Sequence, residues 1–335
     1  MLNIEIPEIE DGSRLDRCVR RLLGNINQAN LEKLLRSGNI LLEEKKSKSS
    51  VKVRTGQFIS YSDYILFEKE YKKDKFSIST KKYYNDLYNE ILITQTKDWL
   101  AINKPNGLAV QGGSSQIYHV NNMLNCVFYN KDIPKLVHRL DKDTSGILLI
   151  AKHQKSAQDL TKYFKDHKII KTYLAIVSPA PHLDQGLINL PLIKTGVDGN
   201  QKVKIDKFKG KEALTEYKVL DRVGSRVALV ALSPKTGRTH QLRVHLEALN
   251  SPIVGDTKYK GDSSIITSNS FIMKHESINK IKWNPNDQNN LQLHALSLML
   301  PSNELIEAKL PQQFKQNMKF IGLTLPKNVN RLFVT

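Results

Sequence analysis

Cysteine is nearly missing from this chain: its 335 residues hold only Cys18 and Cys126. Two thiols are too few for a disulfide scaffold or a zinc site. Cys18 falls on an apolar helical stripe, so a buried thiol in a reducing, cytoplasmic setting is expected. No run approaches the roughly 20 apolar residues that a membrane-spanning helix needs. The first residues, Met1 to Pro7, lack the basic start and hydrophobic core of a secretory signal. Glycine loops of P-loop or Rossmann spacing are missing, as are His/Cys clusters at ligand spacing, so neither a metal nor a cofactor is expected. Acids are scarce too, with 33 Asp+Glu against 51 Lys+Arg and a net charge of +18. Such an excess favours a polyanion, and the lack of any spanning run points to nucleic acid rather than a membrane face.

What is present fits an ordinary globular protein with room for two domains: 40% of residues are hydrophobic and 25% charged. Residues 1–68 read as a small module. Leu15, Cys18, Val19 and Leu22 recur at helical spacing, with Ser13 or Asp11 placed to cap and Gly24 to stop. Leu31, Leu34 and Leu35 make a second stripe ended by Gly38. Short alternating segments at Ile40–Leu42, 51–53 and 58–60 suggest a hairpin after the helices. Between residues 13 and 54 there are 11 Lys/Arg against 4 Asp/Glu, a local net of +7. Arg14, Arg17, Arg20 and Arg21 lie off the first stripe, and Lys33 and Arg36 off the second; they read as a solvated face or as contacts to RNA.

Residues 69–88, rich in Lys and Tyr without a clear period, read as a linker. From residue 89 to 328 the texture is that of an α+β domain with a mainly antiparallel mixed sheet. Strands are expected at Ile91–Ile93, Gly146–Ala151, Thr172–Val177 and Ser225–Leu232, and helices around Leu160 and Leu246. Val223-Gly224 looks like a hairpin corner. The polar stretch 262–290, rich in Ser and Asn, reads as an inserted loop.

The most informative segment is His138-Arg139-Leu140-Asp141-Lys142-Asp143-Thr144-Ser145-Gly146, followed at once by the apolar run Ile147 to Ala151. A turn dense in charge is fastened to a buried strand, which holds Asp141 and Arg139 at a rigid edge. Taken alone, the segment could equally be a solvated surface loop.

With its neighbours, the segment resembles the catalytic motif of the RluA-type pseudouridine synthases. Three further stretches match that family in order: Asn103 to Val110, Lys171 to Ala175, and Gly237 to His245 running into Pro252 to Asp256. Val110-Gln111-Gly112-Gly113-Ser114 directs the resemblance to the branch acting on large-subunit ribosomal RNA. The N-terminal module, in Ser13 to Leu23 and in Arg36 to Phe58, is similar to the small RNA-binding module of ribosomal protein S-four.

The resemblance implies a reaction that breaks the ribose–uracil bond, turns the base and rejoins it through carbon, with no cofactor or metal. It requires a carboxylate to attack or stabilise the detached fragments. Asp141 matches that residue, with Asp143 as rival. A cation should keep it ionised; Arg243 sits at the family's position for this ion pair, and Arg238 competes from five residues earlier. Tyr173 matches the tyrosine that stacks on the target base, unless it is a packed strand aromatic. A stacked uridine must be swung out of its helix, and Arg139 is placed to fill the gap. Lys104, Arg238 and His240 are assigned to the substrate side, with Lys104-Pro105 and Gly107 shaping the pocket floor. Like His138 and His245, His240 is expected to hydrogen-bond rather than catalyse. Arg14, Arg17, Lys33 and Arg36 would hold RNA from the N-terminal module. The Lys152–Lys168 and Lys202–Lys209 clusters would add phosphate contacts.

The expected partner is large-subunit (23S) ribosomal RNA, free or in a pre-ribosomal particle, met by a monomer. The same chemistry on transfer RNA and a non-catalytic RNA-binding assembly factor are the alternatives.

Overall fold

The computed structural model describes residues 1–333 except 25, 27, 63–75, 113–117, 130–131, 197–201 and 261–290. The loop expected at 262–290, the first part of the 69–88 linker and the Gly113-Ser114 end of the branch motif lie outside the described residues. The chain divides into two compact units, Met1–Thr80 and Lys81–Thr335. Among the described residues no helix is long and apolar enough to cross a membrane.

The first unit contains β1 (Leu2–Glu5), α1 (Leu15–Leu23), α2 (Gln28–Ser37), β2 (Ile40–Leu42) and β3 (Phe58–Tyr61). Its core joins Leu15, Cys18, Val19 and Leu23 of α1 to Leu31 and Leu35 of α2 and to Ile40 and Ile59 of the sheet. Fully burying each such side chain contributes about 1.5–3 kcal/mol, so the two stripes suffice to fix both helices. Gly24, at φ 108°, ends α1 in a conformation that disfavours a Cβ. Three expectations need correction. The helix begins after Arg14, and neither Ser13 nor Asp11 caps it: Asp11 accepts from the Thr55 N–H, and Ser13 Oγ from Arg21. Residues 51–53 supply only a bridge between Lys52 and Arg14. And β3 pairs not only with β2 but with β1, giving the order β1-β3-β2. That third strand comes from residues whose short alternation carried too weak a signal.

The expected linker is also shorter than its 69–88 span, because α3 (Ile78–Ile91) occupies its second half. Tyr84, Leu87, Tyr88 and Ile91 are buried at i, i+3, i+4 and i+7. Tyrosine rings carry half of this stripe, which is why a Lys/Tyr-rich stretch reads as periodless.

The second unit continues with β4 (Leu92–Gln95), β5 (Trp99–Lys104), α4 (Val120–Val127), β6 (Lys135–Leu136), β7 (Ser145–Ala151), α5 (Gln154–Lys165) and β8 (Ile170–Val177). Then come β9 (Gln185–Asn189), β10 (Leu192–Thr195), β11 (Lys202–Ile205), β12 (Leu214–Val223), β13 (Val227–Pro234), α6 (Gln241–Ala248), β14 (Leu293–Met299), β15 (Leu305–Glu307) and α7 (Gln312–Ile321). Among the described residues ten strands form one sheet along the path β4-β5-β7-β14-β8-β13-β12-β9, with β15 on β14 and β6 on β7. Only the β7–β14 pair is parallel, so the mainly antiparallel mixed sheet expected from the sequence is what forms. Its central strands read as continuous apolar runs because both faces are covered. On β8, Ala175 and Val177 pack with Leu242 and Leu246 of α6, while Leu174 and Ile176 pack with Phe314 and Met318 of α7. A small β10–β11 hairpin packs by Leu192 and Val203 against Val244 of α6. The β12–β13 corner falls at Gly224, φ 57°, where Val223-Gly224 suggested it.

Candidate active site

The charged turn sits where β7 enters the sheet, and its backbone is held from several sides. Thr144 N–H donates to the Asp141 carbonyl at 3.1 Å, Gly107 N–H to the Lys142 carbonyl at 3.0 Å, and Asn106 Nδ2 to the Asp143 carbonyl at 2.6 Å. Three consecutive carbonyls are thus occupied, while neither carboxylate is used to build the turn. His138 anchors the start: its Nε2 accepts from Leu149 N–H at 2.8 Å and its ring stacks on Phe164 at 4.2 Å. Burial, with the Lys171 charge added, pushes its pKa down to about 3, so it is a neutral acceptor, as expected of a structural histidine. At the other end Gly146 passes β14 so closely that a Cβ would meet the Ala295 carbonyl oxygen at 2.2 Å. Only glycine fits there.

Lys104 lies beneath this turn, fully buried, with Nζ donating to the carbonyls of Pro105 (2.9 Å), Leu108 (2.8 Å) and Lys142 (2.9 Å). Burial pulls its pKa down to about 7, against the opposing charges of Asp143 and Asp141. The expectation that Lys104 meets substrate is therefore corrected. Its three donors are all used internally, and it ties the Asn103-to-Val110 segment to the charged turn.

Asp141 is 20% exposed in its side chain, and its Oδ2 lies 3.9 Å from His240 Nε2. Tyr173, near the start of β8, is raised above the usual phenol range by burial and then by the Asp141 charge, so the two groups are neighbours. Arg243, on α6, is nearly buried, but its fork does not close on Asp141. Nε and a terminal nitrogen each donate at 2.7 Å to the two carboxylate oxygens of Asp256. This corrects the expected Asp141–Arg243 pair: the planar guanidinium satisfies a bidentate partner, which a turn-borne Asp256 with a fully buried side chain supplies. Burial opposes the Arg243 charge; the bonds and charge of Asp256, then the fields of Asp141 and Asp143, overcome it and raise its pKa. Arg243 acts on Asp141 through space, as a cation held still by Asp256.

Tyr259, to which the sequence assigned no role, completes this cluster. Its ring lies 5.1 Å from the Arg243 guanidinium carbon, and its hydroxyl accepts from Val203 N–H at 3.0 Å and meets His240 Nδ1 at 2.8 Å. With the Val203 bond accepted, the hydroxyl proton is free to go to Nδ1, which leaves the neutral imidazole's hydrogen on Nε2, facing Asp141. Burial lowers the His240 pKa, with Asp141 opposing. His240 also takes a left-handed backbone, φ 52°, uncommon outside glycine. A tyrosine three residues after Asp256 was the one sequence signal for Tyr259.

The remaining residues separate cleanly. Arg139 is exposed beside the turn. Arg238 is exposed, with Nε donating to the Glu212 carbonyl at 2.9 Å. His245 is buried between Thr215 Oγ1 and the Leu190 carbonyl, a structural role as expected. Arg14, Arg17, Lys33 and Arg36 belong to the other compact unit and lie at its surface; Arg14 is engaged by Asp16 at 2.8 Å.

The family model described as RNA pseudouridylate synthase matches residues 98–248, which include the charged turn, Tyr173, His240 and Arg243 and end before Asp256 and Tyr259. The chain belongs to that family, whose members are isomerases that convert uridine to pseudouridine in RNA. Among its relatives, "Ribosomal large subunit pseudouridine synthase C" of Rickettsia conorii is 34% identical over 307 residues, 91% of this chain and 96% of that one. The protein of the same name from Rickettsia bellii is 36% identical over 317 residues, again 91% and 96%. A solved structure, "Human RNA Pseudouridylate Synthase Domain Containing 4", superposes with a TM-score of 0.59 at 28% identity, over 73% of this chain and 98% of its own.

Proposed function

We propose that this chain isomerises uridines of large-subunit ribosomal RNA, with Asp141 as the catalytic carboxylate, Tyr173 against the target base and Arg243 as the fixed cation. One observation carries the reading: a turn built entirely through backbone carbonyls leaves the Asp141 carboxylate free beside Tyr173, His240 and the buried Arg243–Asp256 pair. In the reaction the ribose–N1 bond breaks, a ribose–C5 bond forms, and the C5 proton moves to nitrogen, so nothing is oxidised and no group is donated. Asp141 attacks or stabilises the detached sugar or base. Arg243, held by Asp256, is the fixed cation facing this carboxylate, and Tyr173 provides a stacking face for the uracil. The uridine must first leave its helix. Arg139, exposed beside Asp141, fills the space it vacates, and Arg238 meets phosphate.

The ribosomal substrate is supported by the names of relatives that align over nearly their whole length. Residues 1–68 are read as an S-four-like RNA-binding module, two helices on a small sheet, with Arg17, Lys33 and Arg36 exposed and making no ion pair among the described residues. Residues 89–328 form the catalytic domain. The protein works as a cytoplasmic monomer on free or assembling large-subunit RNA. Pseudouridine mapping of ribosomal RNA from cells with and without this gene tests the reading. Sites present only with the gene are expected in the large-subunit RNA, and an unchanged map there overturns the substrate assignment.

A further inference from the structure

The β10–β11 hairpin ends in a feature that the reaction does not use. Phe208, in the turn after β11, is 98% exposed, the most exposed large apolar side chain among the described residues. Such a ring in water needs a reason when its turn is rigid, and this one is. Asp206 Oδ1 accepts the N–H groups of Phe208 (3.0 Å) and Lys209 (2.9 Å), and the Asp206 carbonyl accepts Gly210 N–H at 3.0 Å. Gly210 is packed so tightly that a Cβ would meet that same carbonyl oxygen at 2.2 Å. The ring is thus held outward by a preformed turn.

Its surroundings are cationic. Lys202, Lys204, Lys207, Lys209 and Lys211 are all exposed, and Asp206 is the one acid between 202 and 211, a local net of 5 − 1 = +4. The end of the hairpin where β11 begins is joined to the reaction centre: Val203 N–H donates to Tyr259, Lys202 Nζ lies 5.7 Å from the Tyr259 ring centre, and Tyr259 contacts His240 and Arg243. An exposed aromatic on a rigid turn amid lysines is the combination that grips single-stranded nucleic acid, the ring stacking on a base and the cations following the phosphates.

We propose that this hairpin is an RNA-gripping finger, in which Phe208 stacks on a base of the substrate RNA outside the catalytic pocket. The inference rests on the RNA reading of the active site but not on which RNA is modified. Because Phe208 is fully exposed, removing it leaves the fold intact. The F208A variant should bind an in vitro transcribed large-subunit RNA about 5- to 100-fold more weakly than wild type. Its single-turnover rate at saturating RNA should stay unchanged, and F208W should restore affinity. F208W should also show tryptophan quenching on RNA addition beyond that of the two native tryptophans. K207A with K209A should lower the magnitude of the salt slope of log K by about 0.7 for each phosphate left without its lysine. Wild-type affinity in F208A together with no added quenching in F208W overturns the finger. So does a change in self-association with no change in RNA affinity. These are binding readouts, so they stand even where wild type modifies nothing in the transcript, a result that would count against the substrate assignment alone.

Discussion

Both compact units are rich in positive charge, but they use it in opposite ways. Near Asp141 two cations are buried and committed: Lys104 to three carbonyls, Arg243 to both oxygens of Asp256. In the N-terminal unit Arg17, Lys33 and Arg36 stand in solvent, and even the arginines paired with the buried carboxylates of Asp16 and Glu10, Arg14 and Arg21, keep their own side chains at the surface. Burying a charge carries a desolvation penalty of several kcal/mol, so it persists only where partners satisfy it in a fixed geometry. An exposed charge is screened within about 10 Å and fixes nothing, but it remains available to a polyanion. The first arrangement suits a reaction that needs one carboxylate in one place, the second a surface that holds RNA of variable shape.

The contrast can be tested from its strongest point downward. Asp141→Asn should reduce isomerisation by at least about a thousandfold while RNA affinity stays within a few-fold. Appreciable turnover in that variant removes the catalytic assignment. Asp256→Ala strands the buried Arg243 and should destabilise the second unit by about 3–5 kcal/mol in denaturant unfolding. A change below about 1 kcal/mol would mean that the Arg243 charge is satisfied elsewhere.

Acid should separate the two units. All nine histidines lie beyond residue 80. Buried His294, bonded through Nδ1 to Ser145 under the catalytic strand, has its pKa lowered by burial to about 4. Between about 6.5 and 4 the unfolded chain therefore binds a proton that the folded one refuses, and stability falls as pH falls through that window. Thermal melts should show this loss in the second unit, with a shallower slope in His294→Gln; an unchanged slope would put the acid sensitivity in other groups. The smallest effect belongs to the N-terminal unit. Arg17→Ala with Arg36→Ala should leave stability within about 0.5 kcal/mol. The double variant should flatten the salt dependence of RNA binding by about 0.7 for each phosphate it no longer neutralises. An unaltered salt slope would make that face plain solvated surface.

Much of this was legible along the chain. The runs Ile147–Ala151 and Leu174–Val177 announced strands covered on both faces, and Gly24 and Gly38 ended their helices where expected. Asp141, at the head of one strand, and Tyr173, on another, are near enough for the Asp141 charge to act on the Tyr173 phenol. What failed did so where one side chain's role depends on another far away. Lys104 looked like a substrate contact until three carbonyls, one of them 38 residues away, surrounded its ammonium. Arg243 looked like the partner of Asp141 until Asp256 took its fork. The α3 stripe was hidden because tyrosine carries both a ring to bury and a hydroxyl that reads as polar.

The order of residues by itself determined that this chain carries a large positive excess, that it folds as α+β, and that Asp141 heads a rigid strand. Charge balance and apolar period are sums over local composition and need no knowledge of neighbours. Only the tertiary structure decided which cation each carboxylate holds, that Tyr259 and His240 close around Asp141, and that Phe208 stands alone in water. Pairing and exposure depend on distances of a few ångströms between groups tens to hundreds of residues apart, and the packing of the sheet sets those distances.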